Sequence, residues 1–383
     1  MINERYPFKK SWRWTLIKCF DFFIDPFAGW IRRRKFPTSV QNILVIRLDQ
    51  IGDLVCTLPV FPILKRRFPQ AKITVLTGSE GKAILDQNPF ADRLITFRSN
   101  WFSRNRITNP IEFFQVLSDL RKTHYNLGFD LRGDLRNIIL MALAGVRYRI
   151  GYGIAGGGGL LHETRPYDAA LHQVELNARL VTDGPVSKLD LKPEIYFTPK
   201  EKENALNRLK GFGIPPETRL IAVHPEAGYS SKEWEEEKFK KLIAKFLEDS
   251  QNRVLIVGLS KAQGLAASFS DTNRVISLVG ALSLREMIAV LSQCHLLVGN
   301  DSGPSHLAQA FGIPVVVIAS GTNEYEKWGI WREPSRILKY AVPCSPCHLQ
   351  HCNVEGHPCM SEISADQVFE VAQELMCEGK GKR

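Results

Sequence analysis

The sequence predicts an α/β protein of two domains, each a parallel sheet covered by helices. Three observations predict it. From Gln41 onward, short β-branched runs alternate with amphipathic stretches, the pattern a parallel sheet with crossover helices produces. The alternation fades through Thr182 to Pro199, a stretch rich in Asp, Pro, Gly and Lys, and then begins again. Several runs stop at a polar turn that opens a helix, which aims free backbone N–H groups past the strand end and suits an anion. A chain of 383 residues is long enough to bury two separate cores.

Residues 1–40 precede the first strand and read as a basic, aromatic arm. Trp12, Trp14, Leu16, Ile17, Phe20, Phe23, Ile24, Phe27, Trp30 and Ile31 form a helical stripe, with Lys18, Asp21 and Asp25 on the other side. The segment carries a net +6 of the chain's formal +10, ending in Arg32-Arg33-Arg34-Lys35. It is too charged, and too broken at Pro26, to span a bilayer, and it has no signal-peptide cleavage site. Two readings stand: a helix lying on an anionic membrane surface, or a helix packed on the first domain. A pI near 9.2 asks for an acidic partner, and no nucleic-acid-reading module is present.

The first domain's strands are read at Asn42 to Arg47, Lys72 to Leu76, Arg93 to Thr96, Asn126 to Leu131 and Arg147 to Gly151. The run Gly156 to Gly159 reads as a flexible loop or a mobile lid. The second domain's strands are read at Leu220 to His224, Arg253 to Gly258, Val275 to Ser277, Cys294 to Val298 and Pro314 to Ile318. Helices are read near Glu235 to Leu247 and Leu284 to Leu291, with a final amphipathic helix over Ser364 to Leu375.

Four turns after these strands carry the chemistry. Asp49-Gln-Ile-Gly52-Asp53 puts a carboxylate at a helix start, either as a favourable partner of the helix dipole or as a general base. Asp130-Leu-Arg132-Gly133-Asp134 follows the fourth strand. His224-Pro-Glu226-Ala-Gly-Tyr-Ser230-Ser231-Lys232 offers hydroxyls and a cation to a phosphate. Asp301-Ser302-Gly303-Pro-Ser-His306 opens the helix after the Cys294 to Val298 run.

These motifs and their order resemble glycosyltransferase family 9, the ADP-heptose:lipopolysaccharide heptosyltransferases, from about Gln41 to Leu375. The most specific matches are Arg47-Leu-Asp-Gln-Ile-Gly52-Asp53 with Pro59, Lys232-x-Trp234, and Asp301-Ser-Gly303-x-x-His306-Leu-Ala. The resemblance implies a GT-B fold, two Rossmann-like domains facing across a cleft. Residues 41–190 would be the acceptor-side domain, 200–361 the nucleotide-sugar-binding domain, and 362–383 a helix and basic tail that crosses back to the first domain. It implies an inverting, metal-independent transferase that needs no catalytic cofactor. The donor would be a nucleotide-diphosphate sugar, ADP-heptose first. A lipid-linked saccharide on the cytoplasmic face of the inner membrane would be the acceptor, and the anionic membrane surface a further partner. Two other readings stay open: a GT-B transferase using another sugar or a protein acceptor, and a non-catalytic nucleotide-sugar-binding protein.

Carried onto this chain, the resemblance makes Asp53 the general base, with Gly52 giving the substrate room; Asp49 is its rival. Lys232 would contact the diphosphate, with Ser230 and Ser231 donating beside it. The amides of Ser302 and Gly303 would hold the same anion. Asp301 would accept from donor-sugar hydroxyls, and His306 either contacts ligand or locks its helix to the sheet. Arg132 falls on the acceptor side or in a positioning role. Two departures touch the donor pocket: Ser320-Gly321-Thr322 stands where the family has Gly-Pro-Thr, and Glu226 introduces an anion where Gly is usual.

Cys344, Cys347, Cys352 and Cys359 cluster in one loop with three histidines. Without an export signal disulfides are a poor default. The alternatives are a structural Zn²⁺ site, an iron–sulfur or redox pair, or free buried thiols.

Overall fold

A computed structural model describes residues 11–98, 109–184, 186–215 and 218–379. The chain forms two compact units, Met1–Lys192 and Pro193–Arg383. Each holds one six-stranded, wholly parallel sheet.

The first sheet contains β1 (Asn42–Arg47), β2 (Lys72–Thr77), β3 (Arg93–Thr96), β4 (Leu127–Asp130), β5 (Tyr148–Gly151) and β6 (Glu163–Thr164), in the order β3-β2-β1-β4-β5-β6. The second contains β7 (Arg219–His224), β8 (Asn252–Ile256), β9 (Val275–Ser277), β10 (Leu296–Asn300), β11 (Val315–Ala319) and β12 (Ser335–Lys339), in the order β12-β11-β10-β7-β8-β9. Numbered within its own unit, each sheet has the same Rossmann order. The chain therefore reverses its direction of growth between β1 and β4 in the first sheet and between β7 and β10 in the second. Helix dipoles and loop ends diverge at such a reversal, leaving a crevice beyond the strands' carboxyl ends.

The central strands are apolar on both faces because helices cover both faces. Ile43, Leu44, Val45 and Ile46 of β1 are all buried, as are Ile221, Ala222 and Val223 of β7. The strands β6 and β12 were not read from the sequence. The first is two residues long, and the second, Ser-Arg-Ile-Leu-Lys, is a mixed edge strand.

The carboxyl-terminal helix Ala365–Gly379 packs within the second unit. Val368, Ala372, Leu375 and Met376 join the second unit's core beside Phe239, Leu242 and Phe246 of helix Glu236–Glu248. Its apolar stripe is filled by that packing. The basic tail beyond it, 380–383, lies outside the described residues.

The arm is a helix over Ser11–Arg32, and it turns Asp21 inward while Phe22, Phe23, Phe27 and Trp30 stay exposed. Asp21 is buried, and its Oδ1 accepts a hydrogen bond from Gly157 N at 2.7 Å. The glycines Gly156 to Gly159 are all buried, so this run is neither a flexible loop nor a lid; it is the seat on which the helix rests. Side chains there would collide with the helix: a Cβ on Gly156 would come within 2.3 Å of Ile17, and one on Gly159 within 2.8 Å of Asp25. The side chains of Trp12 and Trp14, and residues 1–10, lie outside the description.

Candidate functional site

In the first unit, β1 and β4 end side by side and deliver the two first-domain motifs to one place. Arg47, the last residue of β1, is only 2% exposed and is paid for by three acceptors. Its Nη1 donates to the carbonyl of Leu131 at 2.6 Å, and its Nη2 to Asp53 Oδ1 at 3.2 Å. Its Nε lies 2.9 Å from Asp49 Oδ2. Asp49 also pairs with Arg132, and its side chain has no exposed surface. This carboxylate is enclosed between two guanidiniums and has no open side for a substrate. Asp53 sits in the first turn of helix Ile51–Val55 and keeps 20% of its side chain exposed.

Beneath these groups, the chain after β4 is locked by Asp130. This buried carboxyl accepts from the backbone N–H groups of Arg132 and Asp134 at 3.2 and 2.8 Å and from Asn137 Nδ2 at 2.9 Å. Burial, against the help of Asn137, lifts its pKa to about 7. Asp134 caps helix Leu135–Leu143 and holds the guanidinium of Arg136. Arg132 is thereby aimed at Asp49. Its guanidinium is drawn down to a pKa of about 10, chiefly by burial and then by Arg47.

In the second unit, β7 and β10 end side by side in the same topological position. Lys232 Nζ lies 2.6 Å from Asp301 Oδ2, and Asn323 Nδ2 donates to that same oxygen at 2.7 Å. Asn300 ties the two turns together: its Nδ2 donates to Pro225 O at 2.6 Å, and its Oδ1 accepts from Trp234 N at 3.1 Å. Asn300, Asn323 and Arg47 were given no role from the sequence. Of these only Arg47 and Asn300 carried a signal, as the terminal polar residues of apolar strands.

Two expectations are corrected here. Ser230 and Ser231 do not stand free for a phosphate, because the cysteine-rich loop takes their hydroxyls. Ser231 Oγ donates to Leu349 O at 2.6 Å, and Ser230 Oγ lies 2.8 Å from His351 Nδ1. Glu226 adds no free anion to the pocket, since its Oε1 accepts from the N–H groups of Leu259 and Ala262 at 2.9 and 2.8 Å. His306 is buried, with Nδ1 3.2 Å from Gln309 Nε2, while Gln309 Oε1 accepts from Trp331 N and Arg332 N. Its contact with Gln309 lies within its own helix, Gly303–Gln309.

Ser302 is the N-cap of the seven-residue helix Gly303–Gln309, and its hydroxyl lies 3.0 Å from His224 Nδ1. Burial lowers the His224 pKa to about 4, so the ring is neutral at pH 7.

The four clustered cysteines are free thiols: Cys344 and Cys352 are exposed, Cys347 is half-buried, and Cys359 is buried. Among the described residues no group of three His, Cys, Asp or Glu side chains is arranged to hold a metal ion. What the loop does hold is the turn bearing Lys232, through Leu349, Gln350 and His357, whose Nε2 lies 3.1 Å from Ser231 O.

Residues 113–357 match the family described as Glycosyltransferase family 9 (heptosyltransferase). The chain belongs to that family. As a family 9 protein it is a glycosyltransferase, and its likenesses extend over both units. It is 25% identical over 338 residues to Lipopolysaccharide heptosyltransferase 3 of Escherichia coli K12, covering 85% of this chain and 96% of that one. The structure of E. coli ADP-heptose lps heptosyltransferase II superposes with a TM-score of 0.72 at 22% identity, over 89% of this chain and all of that one. E. coli heptosyltransferase WaaC with ADP gives a TM-score of 0.66 at 19% identity, over 87% and 99%. These likenesses make the fold GT-B.

Proposed function

We propose that this family 9 enzyme transfers heptose from ADP-heptose, with inversion and without a metal, to a lipid-linked saccharide of the lipopolysaccharide-core type. One observation carries the reading. The family-matching Asp53 stands at the strand-order reversal of the first sheet, and Lys232 with Asp301 at that of the second, where such folds bind ligands. The heptose donor and the core acceptor are carried over from the named relatives.

In this reading an acceptor hydroxyl attacks the anomeric carbon, and the bond from that carbon to the diphosphate oxygen breaks. Asp53 takes the hydroxyl proton, held in place by the Arg47 guanidinium on its Oδ1. Lys232 turns from Asp301 to the diphosphate and offsets the charge that grows on the leaving group, the task a divalent cation performs in metal-dependent transferases. Asp301, freed of the ammonium, accepts from a sugar hydroxyl. Gly52, Arg132, and the amides of Ser302 and Gly303 complete the binding surface. The acceptor places the enzyme at the cytoplasmic membrane face as a peripheral protein. No described helix is long and apolar enough to cross a membrane.

The test is a panel of nucleotide sugars followed by thermal shift and by release of nucleoside diphosphate. ADP-heptose should raise the melting temperature by mass action and be consumed in the presence of EDTA. Consumption of a different nucleotide sugar, or inhibition by EDTA that Mg²⁺ or Mn²⁺ reverses, would overturn it.

A further inference from the structure

The amino-terminal helix has two faces of unlike chemistry, and among the described residues only one has a partner. Its inner face, Ile17, Asp21, Ile24 and Asp25, meets the glycine seat, and Ala28 on the same side is buried. The spacing of those residues is a single helical stripe. On the opposite side Leu16, Phe23, Phe27 and Trp30 are exposed, with Phe22 beside them at 76% and Trp30 itself at 74%. Monomeric soluble proteins rarely show water so continuous an aromatic surface.

The orientation is built in rather than accidental. An ordinary amphipathic helix on a soluble protein turns its aromatic side inward and its acids to water. Here Asp21 is the inward residue, compensated by a backbone N–H of a left-handed glycine, Gly157, whose φ is 77°. Side chains at Gly156 or Gly159 would push the helix off, so the glycine run lets the helix come close enough for that hydrogen bond. Below the helix Arg32 reaches Gly158 O, and Arg34 donates to Arg147 O at 3.0 Å, which fixes the chain as it leaves. Arg33 and Lys35 remain exposed at the same end.

We propose that this helix is a membrane-interface anchor: it lies in the headgroup region of an anionic phospholipid bilayer, with Phe22, Phe23, Phe27 and Trp30 inserted and Arg33 and Lys35 on lipid phosphates. Charge complementarity commits the face to anionic lipid, since the aromatic surface and the basic cluster adjoin and the arm carries most of the chain's excess positive charge. The glycine seat sets the roll of the helix and so the side that the first unit turns to the bilayer. The purpose rests on the membrane-held acceptor proposed above, but the binding itself does not.

The experiment is co-sedimentation of the full chain with vesicles of phosphatidylcholine alone and of phosphatidylcholine mixed with phosphatidylglycerol. Wild-type protein should bind the anionic vesicles and lose most of that binding in high salt. Phe23→Ser, Phe27→Ser and Trp30→Ser together should lower binding on the order of a hundredfold with an unchanged thermal melt, because those side chains are exposed. Arg33→Gln with Lys35→Gln, a second and milder variant, should lower it roughly tenfold on anionic vesicles and not on neutral ones. Anionic-vesicle binding unchanged in the aromatic variant would overturn the proposal. So would a wild-type protein that ignores vesicles and self-associates in sedimentation equilibrium through this face. Transfer to a water-soluble acceptor fragment, measured in the same samples, reports on the proposed reaction alone; its failure with vesicle binding intact would count against the reaction and not against the anchor.

Discussion

The two units place their chemistry at the same topological point and equip it oppositely. At the β1–β4 reversal the cation is Arg47, buried, planar and held by a carbonyl and two carboxylates. At the β7–β10 reversal it is Lys232, a single ammonium on a flexible stem, paired with one carboxylate. The difference matches what the proposed reaction would ask of each. A general base must be presented in one geometry, and a multidentate guanidinium fixes Asp53 from beneath. A leaving group moves as it departs, and a point charge on four methylenes can follow it.

The largest expected effect breaks the comparison on the rigid side. Asp53→Asn keeps the hydrogen bond from Arg47 but removes the proton acceptor. Turnover should fall on the order of 10² to 10⁴, while the dissociation constant for ADP, read by calorimetry, stays put. Unchanged turnover would remove Asp53 from the chemistry.

Acid should separate the two units next. His224 has a folded pKa of about 4 against 6.5 unfolded, so its contribution is present above pH 6.5 and is lost as pH falls toward 4, about 3 kcal/mol in all. His162 in the first unit, buried and with a backbone N–H of Arg149 on its Nδ1, is lowered to about 4 in the same way. There Asp130 acts in the opposite sense. Its pKa is raised from 3.8 to about 7, so its contribution is lost as pH rises and recovers as pH falls. The second unit should therefore weaken first between pH 6.5 and 4.5. Urea melts at pH 7 and pH 5 check this: His224→Gln should flatten the second unit's pH dependence, and Asp130→Asn should give the first unit a dependence as steep as the second's. A first-unit dependence unchanged in Asp130→Asn would mean that Asp130 offers no compensation.

Much of this was legible in the sequence because its causes are local. Strands such as Asn42 to Arg47 announce themselves by β-branched residues ended by a polar one, and the turn motifs follow within a few residues. What stayed hidden depends on partners far along the chain. Asp21 faces inward only because Gly157 lies under it, and Ser231 is spent only because Leu349 arrives beside it. The final helix stays in its unit because its apolar stripe matches helix Glu236–Glu248, a fit of shapes that no motif records.

On the mobile side, Lys232→Ala removes the charge and leaves Asp301 with Asn323 alone. ADP affinity and turnover should both fall, each by roughly 10- to 100-fold, the worth of one charge-assisted hydrogen bond in a partly buried site. Diphosphate affinity left intact would make the Lys232–Asp301 pair a structural strut, and the contrast between the two reversals would lose its functional meaning.

The smallest effect concerns the residue that most sets this chain's donor side apart from the family pattern. If Glu226 faced the diphosphate, neutralising it would tighten ADP binding severalfold by removing a like charge. Its Oε1 is instead engaged by two N–H groups of the turn that opens at Ser260, where an amide oxygen serves nearly as well. Glu226→Gln should accordingly cost about 1 kcal/mol of stability, seen as a small drop in melting temperature, with ADP affinity and donor choice unchanged. Tighter ADP binding in this variant would return Glu226 to the pocket and make it a determinant of which nucleotide sugar the second unit accepts.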